Sequence, residues 1–154
     1  MEKIVALDFD RFLVPGNTKE EFAGMIFENA VKDLDVAKIS KLIYNGLYTK
    51  HYLNEFNKYA NAGNMPDAEI SIINAYDTYD KIIKGIPESL LHEFSKGYAP
   101  EFSKDGKEVL KKLNDREWNL YLVSGAMQPC VKIILEKNGV DDLFKGIYCN
   151  TLKV

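Results

Sequence analysis

The chain has 154 residues, 46% hydrophobic and 28% charged, an ordinary globular composition that fits one domain or one domain carrying an insertion. Its formal net charge of −3 gives no reason to expect a nucleic acid partner. No apolar run approaches the roughly 18 residues that cross a bilayer, and the N-terminus lacks a signal-peptide pattern, so a cytoplasmic protein without a membrane partner is expected.

The first element is the short apolar run Ile4-Val5-Ala6-Leu7. Its brevity and branched side chains favour a buried strand. It runs into Asp8-Phe9-Asp10 and then a loop containing Pro15 and Gly16. Thr18 and Glu21 have capping-box spacing, which predicts a helix from near Lys19. From there to about residue 95 the pattern stays helical, with segments near 36–43, 52–60, 68–79 and 88–94. Breaks are expected at Gly46, at 62–66 and at 85–87. Tyr44, Tyr48, Tyr52, Phe56, Tyr59, Tyr76 and Tyr79 recur at helical spacing. They read first as a packing stripe and second as a substrate-binding wall. His51 and His92 stand alone and read as surface residues.

The style changes near Pro100. Ser103 can cap a helix carrying Val109, Leu110 and Leu113. Trp118 reads as a packing anchor before a strand at 119–123, which ends at Ser124-Gly125-Ala126. Pro129 suits the first turn of a helix running to Asn138, and Gly139 is a natural stop. Asp141-Asp142 read as a cap for a short turn at Leu143-Phe144. A strand at 146–149 follows. Cys130 and Cys149 have neither CxxC nor Cys/His spacing and read as free thiols. Strand, helix, strand, helix, strand implies parallel βαβ units. The fold class is α/β, with residues 1–14 and 99–154 forming the core and residues 15–98 inserted as a helical block.

In parallel sheets ligands bind beyond the carboxyl ends of the strands. Asp8 and Asp10 fall there, and so do Ser124 and Gly125. One carboxylate can attack phosphorus while the other protonates the leaving oxygen and later activates water. Such a pair repels a phosphate dianion and calls for Mg²⁺ and hydrogen-bond donors. Ser124 offers a hydroxyl, and the amides after it are expected to open a helix, a natural anion site. Each signal alone is also what a solvated loop or a helix cap looks like. Their joint order carries the reading.

The stretch from Val5 to Val14 resembles the first motif of the haloacid dehalogenase-like (HAD) superfamily, an apolar strand ending in DxDGT. Leu120 to Ala126 resembles the second, an apolar strand ending in Ser or Thr and Gly. The segment from Gly125 to Leu152 is similar to the phosphoserine-phosphatase-type branch, and the helical block occupies the place of that branch's cap. The resemblance implies a Rossmann-like core with an all-helical cap and a Mg²⁺-dependent phosphatase acting on a small phosphorylated metabolite. It implies Asp8 as nucleophile and metal ligand, and Asp10 as general acid/base lending its backbone carbonyl to the metal. Ser124 and the Gly125 amide would hold the phosphoryl group. An acid at position 10 points to a phosphatase over a dehalogenase.

Two departures stand out. Arg11-Phe12 replaces the family's Gly-Thr, and Arg11 either binds an anion, crowds the pocket or points to solvent. The family's later Lys and acidic cluster have no counterpart before Val154. Lys132, Lys137, Lys145 and Lys153 read as surface residues. With Asp8 and Asp10 alone, Mg²⁺ binding is expected to be weak. The parallel sheet is then incomplete and its first strand is an open edge. A second copy forming a homodimer, a partner chain or the remainder of a longer protein is expected there, and the sequence leaves the three open. The alternative function is a catalytically incomplete protein of this fold that binds a phosphorylated ligand or a partner chain.

Overall fold

The computed structural model describes residues 2–102 and 104–151. The expected cap Ser103, the end of the resemblance at Leu152, and Lys153 lie outside the described residues. The elements are β1 (Lys3–Leu7), α1 (Thr18–Lys32), α2 (Val36–Asn61), α3 (Met65–Ile83), α4 (Glu88–Gly97), α5 (Lys104–Asp115), β2 (Trp118–Met127), α6 (Gln128–Asn138), a 3-10 turn (Asp141–Leu143) and β3 (Phe144–Asn150). The strands form one parallel sheet in the order β1-β2-β3. Parallel neighbours need long crossovers. The first carries α1 to α5 and the second carries α6. This is the α/β architecture expected from the sequence, a Rossmann-like core with a helical block inserted after the first strand. No helix among the described residues is long and apolar enough to cross a membrane.

The chain divides into two compact units, Met1–Phe22 with Pro87–Val154 and Ala23–Ile86. The first holds the sheet. Its core gathers Phe9, Leu120, Leu122, Val131, Ile134 and Leu135, all at 0% exposure. Removing a side chain of this size from water stabilises the fold by about 1.5–3 kcal/mol. On α6 the buried positions Val131, Ile134, Leu135 and Asn138 follow helical spacing, and Gly139 ends the helix in the left-handed conformation (φ 64°). Trp118, Leu143 and Phe144 pack against this core. Asn138 is buried and fully employed. Its Nδ2 donates to Pro100 O (3.0 Å) and Ile134 O (2.8 Å), while its Oδ1 accepts from Phe102 N (2.8 Å). It thereby fixes the chain entering α5.

β1 forms as expected but is not buried, with Ile4 54% exposed at the sheet edge, and the helical block departs from the expected pattern at Gly46 and in its aromatic residues. α2 runs unbroken through Gly46. A glycine inside a helix costs only about 1 kcal/mol relative to Ala. The packing of Leu42, Asn45 and Thr49 around it outweighs that, with Thr49 Oγ1 donating to Thr78 Oγ1 of α3 (2.9 Å). The breaks near 62–66 and 85–87 are present, with Gly63 and Gly85 at φ 73° and 84°. The aromatic stripe also divides. Tyr79 is buried and Tyr52, Phe56 and Tyr59 are half-buried, whereas Tyr44, Tyr48 and Tyr76 are exposed, the first two with rings 4.7 Å apart. His51 and His92 lie on exposed helix turns facing Glu55 (3.6 Å) and Glu88 (3.7 Å).

Candidate active site

β1 and β2 place the candidate residues by register. Leu7 pairs with Leu122, so Asp8 leaves its strand beside Val123, and Ser124 lies one residue further along β2. The structure therefore brings Asp8, Asp10, Ser124 and Gly125 to the carboxyl edge of the same two strands.

The loop after β1 is anchored from below. Phe9, Leu13 and Val14 are buried, and Phe9 O accepts from Leu13 N (3.0 Å) and Val14 N (3.2 Å). This tight turn puts Arg11 in the left-handed region (φ 61°), where an L side chain costs roughly 1–2 kcal/mol. The resemblance has glycine at that position, which fits this geometry. Arg11 N donates to Gly16 O (3.0 Å). Gly16 must be small, because a Cβ there would collide with Tyr98 Oη. Tyr98 is held in turn by stacking on Phe94 (5.1 Å, 12°).

The two aspartates meet different surroundings. Asp8 is exposed, and its Oδ1 accepts the Phe9 amide (2.7 Å). Asp10 is half-buried, and both of its oxygens are engaged by one residue: Oδ1 accepts from Thr18 N (3.0 Å) and Oδ2 from Thr18 Oγ1 (3.2 Å). Burial raises the Asp10 pKa above its ordinary value. The Thr18 bonds pull the other way without cancelling that, and the Asp8 charge adds to the rise. One carboxyl is thus kept open and the other is biased towards its protonated form.

Thr18 joins the site although its spacing to Glu21 points to a capping box. The cap is instead Asn17, whose Oδ1 accepts from Lys19 N (3.1 Å) and Glu20 N (3.3 Å). Thr18 is left to grip Asp10. The second correction concerns Ser124. β2 continues to Met127, and α6 opens at Gln128 with Met127 as its N-cap. The amides directly after Ser124 therefore belong to the strand end and not to a helix terminus. Ser124 Oγ accepts from Ala126 N (3.1 Å), and Gly125 O accepts from Asn150 Nδ2 (2.9 Å). The parallel pairing of Met127 with Asn150 extends β2 beyond its expected end.

Both cysteines are free, as expected. Burial pushes the Cys130 and Cys149 thiols up to about 11, and the Asp10 charge adds to both shifts. Cys130 Sγ lies 2.9 Å from Ser95 Oγ in the contact between α4 and α6. Both thiols stay protonated near neutral pH and offer no nucleophile.

The donors at this edge suit a hard cation held by few protein ligands. Mg²⁺ commonly takes one or two carboxylates, with water and substrate phosphate completing its shell. Asp8 is exposed and offers such a carboxylate. Among the described residues no group of three or more His, Cys, Asp or Glu converges. Lys137 Nζ donates to Ala99 O (2.7 Å), and Lys132 lies 4.0 Å from Glu136 on an exposed helix turn.

No family model matches this sequence, and no curated protein matches it. Solved structures do match. A phospho-aspartyl intermediate analogue of phosphoserine phosphatase is 21% identical, with a TM-score of 0.58 over 99% of this chain and 58% of that one. A phosphoserine phosphohydrolase-like protein from Francisella tularensis subsp. tularensis SCHU S4 is 15% identical, with a TM-score of 0.56 over 97% of this chain and 58% of that one. A HAD-hydrolase, YfnB from Bacillus subtilis, bound to magnesium, is 12% identical, with a TM-score of 0.50 over 96% and 65%. The chain has the HAD-like fold, and it spans 58% of the length of the first two of these structures.

Proposed function

We propose that this chain carries the nucleophile of a Mg²⁺-dependent phosphomonoester hydrolase working through an aspartyl-phosphate on Asp8. One observation carries the reading. Two carboxyls leave one strand tip into different surroundings, Asp8 open to solvent and Asp10 half-buried, gripped by Thr18 and with its pKa raised. Carboxyl pairs whose surroundings drive their pKa values apart are how a site divides nucleophile from acid.

In the first step an Asp8 oxygen bonds to phosphorus as the ester P–O bond breaks. Asp10 gives its proton to the leaving oxygen. In the second step the Asp10 carboxylate takes a proton from water, whose oxygen attacks phosphorus. The bond to Asp8 breaks and phosphate leaves, with Asp10 protonated again. Thr18 holds the Asp10 carboxyl in one orientation through both steps, and Ser124 Oγ offers a hydrogen bond to a phosphoryl oxygen. Mg²⁺ held by the Asp8 carboxylate and the Asp10 carbonyl would offset charge between carboxylates and phosphate. The proposed substrate is a small phosphorylated metabolite.

A second reading is favoured by the sparse metal donors among the described residues. Here the chain binds a phosphorylated ligand or a partner chain without turnover. In either reading the open side of β1, which pairs only with β2 among the described strands, is the surface proposed for a second copy or a partner chain. Hydrolysis of an aryl phosphate with and without Mg²⁺ tests the choice. The enzyme reading expects Mg²⁺-dependent release that Asp8→Asn abolishes. It expects Asp10→Asn to slow release roughly a hundredfold or more. A folded chain that binds phosphate and releases none supports the second reading.

A further inference from the structure

We propose that Arg11 is the phosphate-binding cation of this site, and that it exchanges Glu20 for the anion when a phosphorylated ligand arrives. The inference rests on the reading that the Asp8–Asp10 edge accepts a phosphoryl group. Two carboxylates at that edge repel a dianion, so a cation has to stand close by. Arg11 directly follows Asp10. Its backbone is locked in the left-handed turn, and its amide donates to Gly16 O. Its guanidinium is held by both oxygens of Glu20, at 2.9 and 3.1 Å.

The first turn of α1 therefore holds two consecutive loop residues at once, Asp10 through Thr18 and Arg11 through Glu20. The two grips differ in strength. Thr18 is fully buried, whereas the Arg11 and Glu20 side chains are 66% and 63% exposed. An ion pair that open to water contributes little and gives way readily to a better partner. Phosphate is such a partner, because the planar guanidinium fork matches two phosphoryl oxygens and the dianion carries more charge than a carboxylate. Lys19 is the other cation of this turn, and its charge reaches Asp10. It has the point-charge geometry of an ammonium and its own partner. Glu20 then acts as a placeholder that holds the Arg11 guanidinium until the anion arrives.

The test is calorimetric titration of the full chain with inorganic phosphate at low ionic strength, with circular dichroism to verify folding. Arg11→Gln should weaken binding roughly tenfold or more, the usual cost of losing hydrogen bonds to a charged group. Arg11→Lys should recover part of the loss. Glu20→Gln should tighten binding by up to about fivefold, because the competitor is removed, and it should have no effect once Arg11 is Gln. Unchanged binding in Arg11→Gln, or weaker binding in Glu20→Gln, overturns the proposal and leaves the hydrolase reading standing. Phosphate binding that needs Arg11 in a chain without hydrolysis upholds the proposal and sinks the hydrolase reading. A wild-type chain that binds no phosphate overturns the proposal outright.

Discussion

The sheet unit and the helical unit bury their apolar residues to different degrees. In the sheet unit Phe9, Leu120, Leu122 and Ile134 share one core at 0% exposure, and the Asp8–Asp10 loop is pinned to it through Phe9, Leu13 and Val14. In the helical unit the buried face of α2 and α3 mixes Leu42, Tyr79 and Ile82 with the small or polar Asn45, Ala68, Ser71 and Thr78, while Val36, Ile43, Leu47 and Ile73 are 49–73% exposed. The candidate chemistry sits where the packing is dense. A carboxyl pair keeps its geometry only if the loop beneath it cannot shift, and interiors at native packing density resist such shifts.

Denaturant unfolding puts this contrast to its severest test. Leu122→Ala should cost about 2–5 kcal/mol, because it opens a cavity in the shared core. Leu47→Ala, at a position 64% exposed, should fall within about 0.5 kcal/mol of wild type. Equal costs would break the contrast. A smaller effect is expected at Gly46, where an added Cβ meets nothing within 4 Å. Gly46→Ala should stabilise α2 by up to about 1 kcal/mol through helix propensity alone. A loss of stability there would mean that the helix needs its glycine.

The smallest and most informative shift concerns Asp10. Its folded pKa lies above the ordinary value, mainly through burial. The folded state therefore binds the proton more tightly than the unfolded chain does. The stabilisation tied to that proton is complete below the ordinary carboxylate pKa and fades as pH rises through the raised folded value. Asp10→Asn keeps a neutral acceptor for Thr18 and removes the penalty of the buried charge. Thermal melts should put it level with wild type in acid and at or above wild type at pH 7. A variant that melts lower at neutral pH would mean that Thr18 favours the charged form more than burial opposes it.

How far the sequence could be read follows the range of the interactions involved. The branched apolar run before Asp8 and the helical spacing of Val131, Ile134 and Leu135 are local patterns. The strand β1 and the helix α6 were legible from them, whereas the burial expected of β1 was not met, because the strand lies at the sheet edge with Ile4 54% exposed. Glycine punctuation worked at Gly63, Gly85 and Gly139, where the backbone has positive φ. It misled at Gly46, because the contact of α2 with α3, such as Thr49 with Thr78 29 residues on, decides that stretch. Ser124 and Gly125 reach the expected edge, but the strand end that holds them depends on Met127 pairing with Asn150, which no local pattern announces. The role of Thr18 was hidden by chemistry. Asn17 and Thr18 are both good caps, and only the loop geometry shows that Asn17 takes the helix amides while Thr18 takes Asp10.

The central claim is that Asp8 receives the phosphoryl group and that Asp10 is needed to remove it. Intact-mass measurement after an acid quench tests this directly, using the Asp10→Asn chain with an aryl phosphate and Mg²⁺. An aryl leaving group needs little help from an acid, so the first step should proceed while the second stalls for want of a base. The account predicts one added phosphoryl group, mapped to Asp8 and absent from the Asp8→Asn/Asp10→Asn chain. A folded Asp10→Asn chain with no added mass, or with the label on any residue other than Asp8, would contradict it.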